Sequence, residues 1–170
     1  EAIKVAHAIQ ELNYYWYEDP LADDDIYGCM RLREKIDIPL LATEWTPGGY
    51  GSYAEWILLK ATDHLRGDVA IKGGITPLVK AAHLAEGFGM NLEVHHGGNS
   101  INNVANLHLI MAIKNCDFFE VMMPQMAHKY GLVKDIEIDN NGMVHSFNSP
   151  GLGVEIDFDL IKSKYVNKLS

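Results

Sequence analysis

The chain has 170 residues, 48% of them hydrophobic, enough for one sizeable core but not for two comfortable domains. Against 23 acidic residues stand 14 basic ones, and the resulting formal charge of −9 argues against nucleic acid or an anionic membrane surface as a partner. No apolar run nears the ~18 residues of a membrane span, no secretory leader is visible, and Cys29 and Cys116 lack metal-ligand spacing, so the expectation is a cytoplasmic globular protein with two buried free thiols.

In chain order, the apolar spacing of Ala2, Ile3, Val5, Ala6, Ile9 and Leu12 predicts an amphipathic helix. Tyr14-Tyr15-Trp16-Tyr17 reads as a buried strand that ends at Glu18-Asp19-Pro20. Asp23-Asp24-Asp25 offers caps to a helix running to about Lys35. Pro39 to Thr43 is a short apolar strand ending at Glu44, followed by a Thr46-Pro47-Gly48-Gly49 loop and a helix from Tyr53 to about Thr62. Asp68 to Ile71 reads as a strand, and Thr76-Pro77 opens a helix that Gly87-Phe88-Gly89 stops. Asn91 to Val94 is a strand ending at His95-His96, Asn103 to about Lys114 a helix, and Asp117 to Val121 a strand. The tail from Lys134 to Ser149 alternates around Asn140-Asn141-Gly142, a hairpin signal. Strands and helices that alternate without hairpins predict a parallel α/β sheet. Gly87-Phe88-Gly89 follows a helix and so does not make a dinucleotide fingerprint.

The polar residues at the strand ends are Glu18, Glu44, Asp68, His95 and Glu120, spaced by 26, 24, 27 and 25 residues. That is one strand–helix unit each, the period that carries successive side chains to one rim of a parallel barrel. Singly, each has an ordinary reading: a solvated turn carboxylate, a capping or core histidine, a hydrogen-bonded buried acid. In register, four acids at one rim repel one another unless a cation relieves them, so the rim is expected to be a metal and proton-transfer site. His96 and His108 are read as a loop residue and a helix-face residue. Adjacent strand residues point to opposite faces, so His95-His96 is not a zinc pair.

Taken together, Glu18-Asp19-Pro20, Ala42-Thr43-Glu44, Asp68-Val69-Ala70-Ile71-Lys72-Gly73-Gly74, the strand ending at His95 and Phe118-Phe119-Glu120 resemble the enolase superfamily, and within it the mandelate racemase subgroup. The muconate-lactonizing relatives carry lysine at the place of Asp68. The resemblance implies an α/β fold, a modified (β/α)7β barrel of the TIM type. Residues 1–124 would be its C-terminal part, about five strands, and residues 125–170 a segment returning toward a capping domain absent from the chain. It implies that Glu18 and Glu44 are two of three carboxylates binding Mg²⁺, that His95 is the general acid/base oriented by Asp68, and that Glu120 hydrogen-bonds the enediolate oxygen opposite the metal. The family's third ligand, an aspartate, and its Lys-x-Lys acid/base pair lie on strands that do not occur here. Oxygen ligands suit Mg²⁺.

The activity so implied is removal of the proton α to a carboxylate, in dehydration of an acid sugar by a hydro-lyase. A racemase or epimerase of a 2-hydroxy acid, or a non-catalytic metal-binding relative, are the alternatives. The expected partners are a small carboxylate substrate and further copies of the full-length protein. Trp45, Tyr50 and Asn99 are specificity candidates that the sequence does not place, and the Gly48–Gly51 loop after the metal-ligand strand either contacts substrate or merely turns the chain.

Overall fold

The structure, a computed structural model, describes residues 1–166. Helix α1 (Ala2–Glu11) buries Ala6, and its Gln10 Oε1 accepts from the backbone N–H of Asp37 at 3.0 Å and Ile38 at 3.1 Å, which ties it to the strand entry beyond. Then follow β1 (Tyr17–Glu18), α2 (Ile26–Arg33), β2 (Leu40–Ala42), α3 (Ser52–Leu58), β3 (His64–Gly67), α4 (Ile75–Gly87), β4 (Leu92–Val94) and α5 (Ser100–Ala112). Two short helices, α6 (Gln125–His128) and α7 (Phe158–Ser163), belong to the tail. Among the described residues no helix is long and apolar enough to cross a membrane.

The four strands form one parallel sheet in the order β1-β2-β3-β4, with Tyr17 opposite Leu40, Leu41 opposite His64, and Leu65 opposite Leu92. Alternation along the strands separates two faces. Leu65, Leu92 and Val94 pack against Tyr53, Leu78 and Leu109, and Ala81, Ala82 and Ala85 on α4 let that helix approach the sheet closely. Each leucine buried in this layer contributes about 2–3 kcal/mol by leaving water. The other face carries Arg66 and Glu93, both nearly inaccessible to solvent. An interior lined by buried charges needs partners, and those partners make the site.

Four elements differ from the sequence expectation. Only Tyr17 and Glu18 of the aromatic run are laddered; Tyr14 N donates to Ile9 O at 3.2 Å, so it stays on the helix end, and Tyr14 and Tyr15 are 60% and 63% exposed. The strand expected at Asp68–Ile71 lies four residues earlier, at His64–Gly67, and Val69–Gly73 forms a turn with Ile71 N and Lys72 N bonded to Asp68 O at 3.0 and 2.9 Å. The expected fifth strand, Asp117–Val121, has no backbone ladder. Instead the Glu93 carboxylate from β4 accepts from Asp117 N at 3.2 Å and Phe118 N at 3.3 Å, taking the place of a neighbouring strand's carbonyls. In the tail, Asn140-Asn141-Gly142 does turn, with Asp139 N to Met143 O at 2.8 Å, but the pairing that forms is a single antiparallel bridge between Leu132 and Ile156. Leu132 and Ile136 pack on Val104 and Leu107 of α5, and Ser100 Oγ donates to Asp135, so tail residues dock on a helix rather than on each other.

Both cysteines are free; Cys29 is buried and Cys116 half-buried, with burial pushing their thiols up to about 11 and about 12. His96, read from sequence as a loop residue, is buried at 1% exposure against the Phe119 ring, 4.2 Å between centroids.

Candidate active site

The carboxyl ends of β1 and β2 carry Glu18, Asp19 and Glu44, whose carboxylate oxygens can all lie within 4.8 Å of one another. Asp19 has φ 38° and Thr43 has φ 95°, conformations that side chains other than glycine rarely adopt and that cluster at functional sites. Thr43 is held there by its own hydroxyl, which accepts from Arg66 N and donates to Arg66 O, both at 2.9 Å, in place of a regular ladder. The Asp19 carboxyl is pushed up to about 6, first by burial and then by Glu18, Glu44 and Asp23, against the pull of Arg66. Burial also raises Glu44, with His95 and Arg66 acting the other way. These acids therefore hold their negative charge at a cost that a cation would relieve.

One cation is built in. Arg66, from the middle of β3 and only 3% exposed, places Nε 3.0 Å from Glu18 Oε1 and 4.0 Å from Glu44 Oε2, and Nη2 2.8 Å from Glu120 Oε2. It thus joins the first strand of the sheet to the segment beyond the last one. Glu120 Oε2 also accepts from His96 N at 2.9 Å. A second cation, Lys72, is buried, donates from Nζ to Thr46 O at 2.6 Å, and stands 5.4 Å above the Tyr53 ring. Burial lowers its pKa, while Asp19, Asp23 and Glu44 oppose that shift. Arg66 and Lys72 still leave Glu18, Asp19, Glu44, Asp68 and Glu120 short of positive charge. An all-oxygen donor set with unmet negative charge fits a hard divalent cation such as Mg²⁺.

At the carboxyl ends of β3 and β4, His95 Nδ1 lies 3.1 Å from Asp68 Oδ2, and His95 Nε2 lies 3.5 Å from Glu44 Oε1. Burial raises Asp68, but hydrogen bonds from His95, Asn102, the Ala70 N–H and Asn106 outweigh it and its pKa falls below the ordinary value. An ionised Asp68 accepts the Nδ1 proton of His95, leaving Nε2 toward the acids. The hydrogen bond to Asp68 raises the His95 pKa, burial opposes it, and Glu44 and Glu120 add to the rise.

The five residues singled out from spacing, Glu18, Glu44, Asp68, His95 and Glu120, thus converge on one end of the sheet, through the bonds that Arg66 and His95 make. Sequence reasoning missed Arg66, Asp19 as a third carboxylate, Asn102, Asn106 and Glu93. A charged residue between apolar residues or glycine within a strand, as in Leu65-Arg66-Gly67 and Leu92-Glu93-Val94, is the signal that could have flagged two of them. Trp45 is 57% exposed and Tyr50 44%, with Lys80 Nζ 5.8 Å from the Tyr50 ring; Asn99 caps α5.

Comparison with known proteins places this geometry. Residues 1–160 match the family model described as enolase C-terminal domain-like. An arabinonate dehydratase of Saccharolobus solfataricus is 28% identical over 157 residues, 92% of this chain and 41% of that protein. The crystal structure of D-glucarate dehydratase from Agrobacterium tumefaciens complexed with magnesium superposes with a TM-score of 0.86 at 34% identity, over 98% of this chain and 44% of the other. A mandelate racemase/muconate lactonizing enzyme-type structure from Pseudovibrio sp. gives 0.89 at 31%, over 95% and 43%. The chain thus spans about two fifths of the length of the relatives it matches. With parallel strands, a carboxyl-end rim of acids and a His–Asp pair, the chain belongs to the enolase C-terminal domain-like family, in its mandelate racemase/muconate lactonizing branch, and corresponds to the C-terminal part of its TIM-type barrel.

Proposed function

We propose that this chain supplies the catalytic rim of a Mg²⁺-dependent acid-sugar dehydratase, acting within a protein whose remaining barrel strands and capping domain complete the pocket. The observation that carries this reading is the His95 imidazole bridging Asp68 at 3.1 Å and Glu44 at 3.5 Å, on the same rim as the three carboxylates. Arabinonate and D-glucarate dehydratases among the relatives support a sugar-acid substrate. Glu18 and Glu44, with Asp19 beside them, would hold the ion. When bound, Mg²⁺ supplies the charge neutralisation that makes the proton α to a carboxylate removable.

The chain's own residues do the rest. His95, its Nδ1 proton committed to Asp68, moves a proton at Nε2. In dehydration the α C–H proton leaves to a base, the β C–O bond breaks, and His95 gives its Nε2 proton to the departing hydroxyl, which leaves as water. The enol that remains becomes a 2-keto-3-deoxy acid. Glu120, fixed through Oε2 by Arg66 and the His96 N–H, keeps Oε1 for a substrate oxygen. The tail after Pro124, residues 125–170, serves as the segment that returns toward the capping domain.

The test is a panel of aldonic and aldaric acids offered with Mg²⁺ to the full-length protein that carries this chain, followed by 2-keto acid formation and by α-proton exchange in deuterated water. Keto acid formation supports the dehydratase. Exchange or inversion without loss of water would mark a racemase or epimerase. Neither event with any acid would remove the catalytic reading.

A further inference from the structure

Asp68 stands just past the end of β3 at 2% exposure, where no strand ladder orients it. Its carboxylate is nonetheless fully engaged. Oδ1 accepts from Ala70 N at 2.7 Å and from Asn102 Nδ2 at 2.9 Å; Oδ2 accepts from the same Nδ2 at 3.0 Å and faces His95 Nδ1 at 3.1 Å. One turn further along α5, fully buried Asn106 accepts from Val69 N at 2.9 Å through Oδ1 and donates to His95 O at 2.9 Å through Nδ2. The two asparagines lie at i and i+4 on one face of the helix. That face grips the loop after β3 and the end of β4 together. A buried carboxamide without partners is costly, so Asn106, inaccessible to solvent amid Val104, Leu107 and Leu109, calls for this use, and half-buried Asn102 extends the same face to Asp68.

The approach to α5 is shaped for the same contact. A Cβ on Gly97 would fall 2.6 Å from His95 Cε1, and a Cβ on Gly98 2.7 Å from Asn102 Nδ2. Asn99 Oδ1 accepts from Asn102 N at 3.0 Å, so the cap of the helix fixes the residue that reaches Asp68. His95-His96-Gly97-Gly98-Asn99 to Asn106 is then one unit: imidazole, clearance, cap, and two amides.

We propose that Asn102 is a positioning residue for proton transfer: by fixing the plane of the Asp68 carboxylate it holds His95 in its Nδ1–H tautomer, with Nε2 presented to the reacting proton, while Asn106 locks the two loops. This rests on the reading of His95 and Asp68 as the proton-transfer pair. A carboxylate accepts only donors, so an amide N–H aimed at both oxygens leaves His95 to supply the remaining one.

The test uses Asn102→Leu and the near-isosteric Asn102→Asp in the full-length protein, so that a folding failure of the first leaves the second. Histidine is labelled with ¹⁵N, and the His95 signal is assigned by its loss in His95→Asn. At alkaline pH, once the ring signals themselves no longer change with pH, wild type should show the Nδ1–H form and both variants a shift toward a mixture. In the same variants kcat for dehydration should fall about 10–100-fold while KM moves by less than about threefold. Gly97→Ala, which touches neither Asn102 nor Asp68, should displace the ring and lower kcat similarly. An unchanged tautomer in both Asn102 variants overturns the proposal, whether or not stability drops. A tautomer that responds in a protein turning over no sugar acid would uphold the positioning role and sink the dehydratase reading instead.

Discussion

The two halves of the rim are held in opposite ways. At β3 and β4, Asp68 has every acceptor position taken, and His95 is fixed from its ring by Asp68 and from its backbone by Asn106. At β1 and β2, among the described residues, Glu18 is held by Arg66 alone, Glu44 has only the looser contacts at 3.5 and 4.0 Å, and Asp19 sits on a strained backbone with its carboxyl pushed up to about 6. A finished hydrogen-bond network fixes direction, which is what proton transfer requires. Acids left short of donors and forced together have unmet charge, which is what a divalent cation requires. Under the proposed function the difference divides labour: one half would be set by the fold, the other when its ligand arrives.

The largest expected break of that division is at the preset half. His95→Asn should lower dehydration about 10²–10⁴-fold, the usual worth of general acid–base help, yet leave Mg²⁺ affinity within about threefold. Deuterium exchange adds direction: α-proton exchange surviving in the variant would make His95 the acid for the departing hydroxyl only. Full dehydration at the wild-type rate would take His95 out of the mechanism. The next effect is at the other half. Glu18→Gln removes an anionic oxygen and should weaken Mg²⁺ binding by at least the roughly 100-fold that even outer partners of a metal can cost. Calorimetric titration reads this, and the His95 tautomer should not change. If each substitution damaged both readouts equally, the rim would be one unit and not two halves.

How much of this the sequence revealed follows the same line. The rim acids and His95 were legible because a parallel α/β chain returns to the same edge once per strand–helix unit, and that period survives errors of a few residues in the strand bounds. The strand before Asp68 was misplaced because Val69-Ala70-Ile71 has the higher β-propensity, whereas His64-Leu65-Arg66-Gly67 becomes a strand only through Thr43, Tyr53 and the acids that satisfy Arg66. Arg66 meets Glu120 across 54 residues and Asn102 meets Asp68 across 34. No local pattern records either pairing. The tail hairpin failed for a related reason: its turn chemistry was correct, but packing of Leu132, Ile136 and Val144 against α5 won over strand pairing.

The smallest effect expected comes from the opposite side of β4, and it separates two adjacent histidines by sign. His96 is buried against Phe119, and burial pushes its pKa down from 6.5 to about 4. The unfolded chain therefore takes up its proton first. Stability is complete above 6.5, declines as pH falls below that value, and has lost the whole contribution once pH is under about 4. At pH 5 relative to pH 8 this one group should cost on the order of 2 kcal/mol. His95 has its pKa raised, so its contribution runs the other way: present below the unfolded value and lost as pH rises through the folded one. Urea unfolding from pH 8 to pH 5 should consequently show a shallower loss for His96→Leu than for wild type, and a steeper one for His95→Asn. An unchanged slope in His96→Leu would mean that its imidazole takes up a proton in the folded protein as readily as in the unfolded chain, and the packing against Phe119 would then have to accommodate a charge as pH falls.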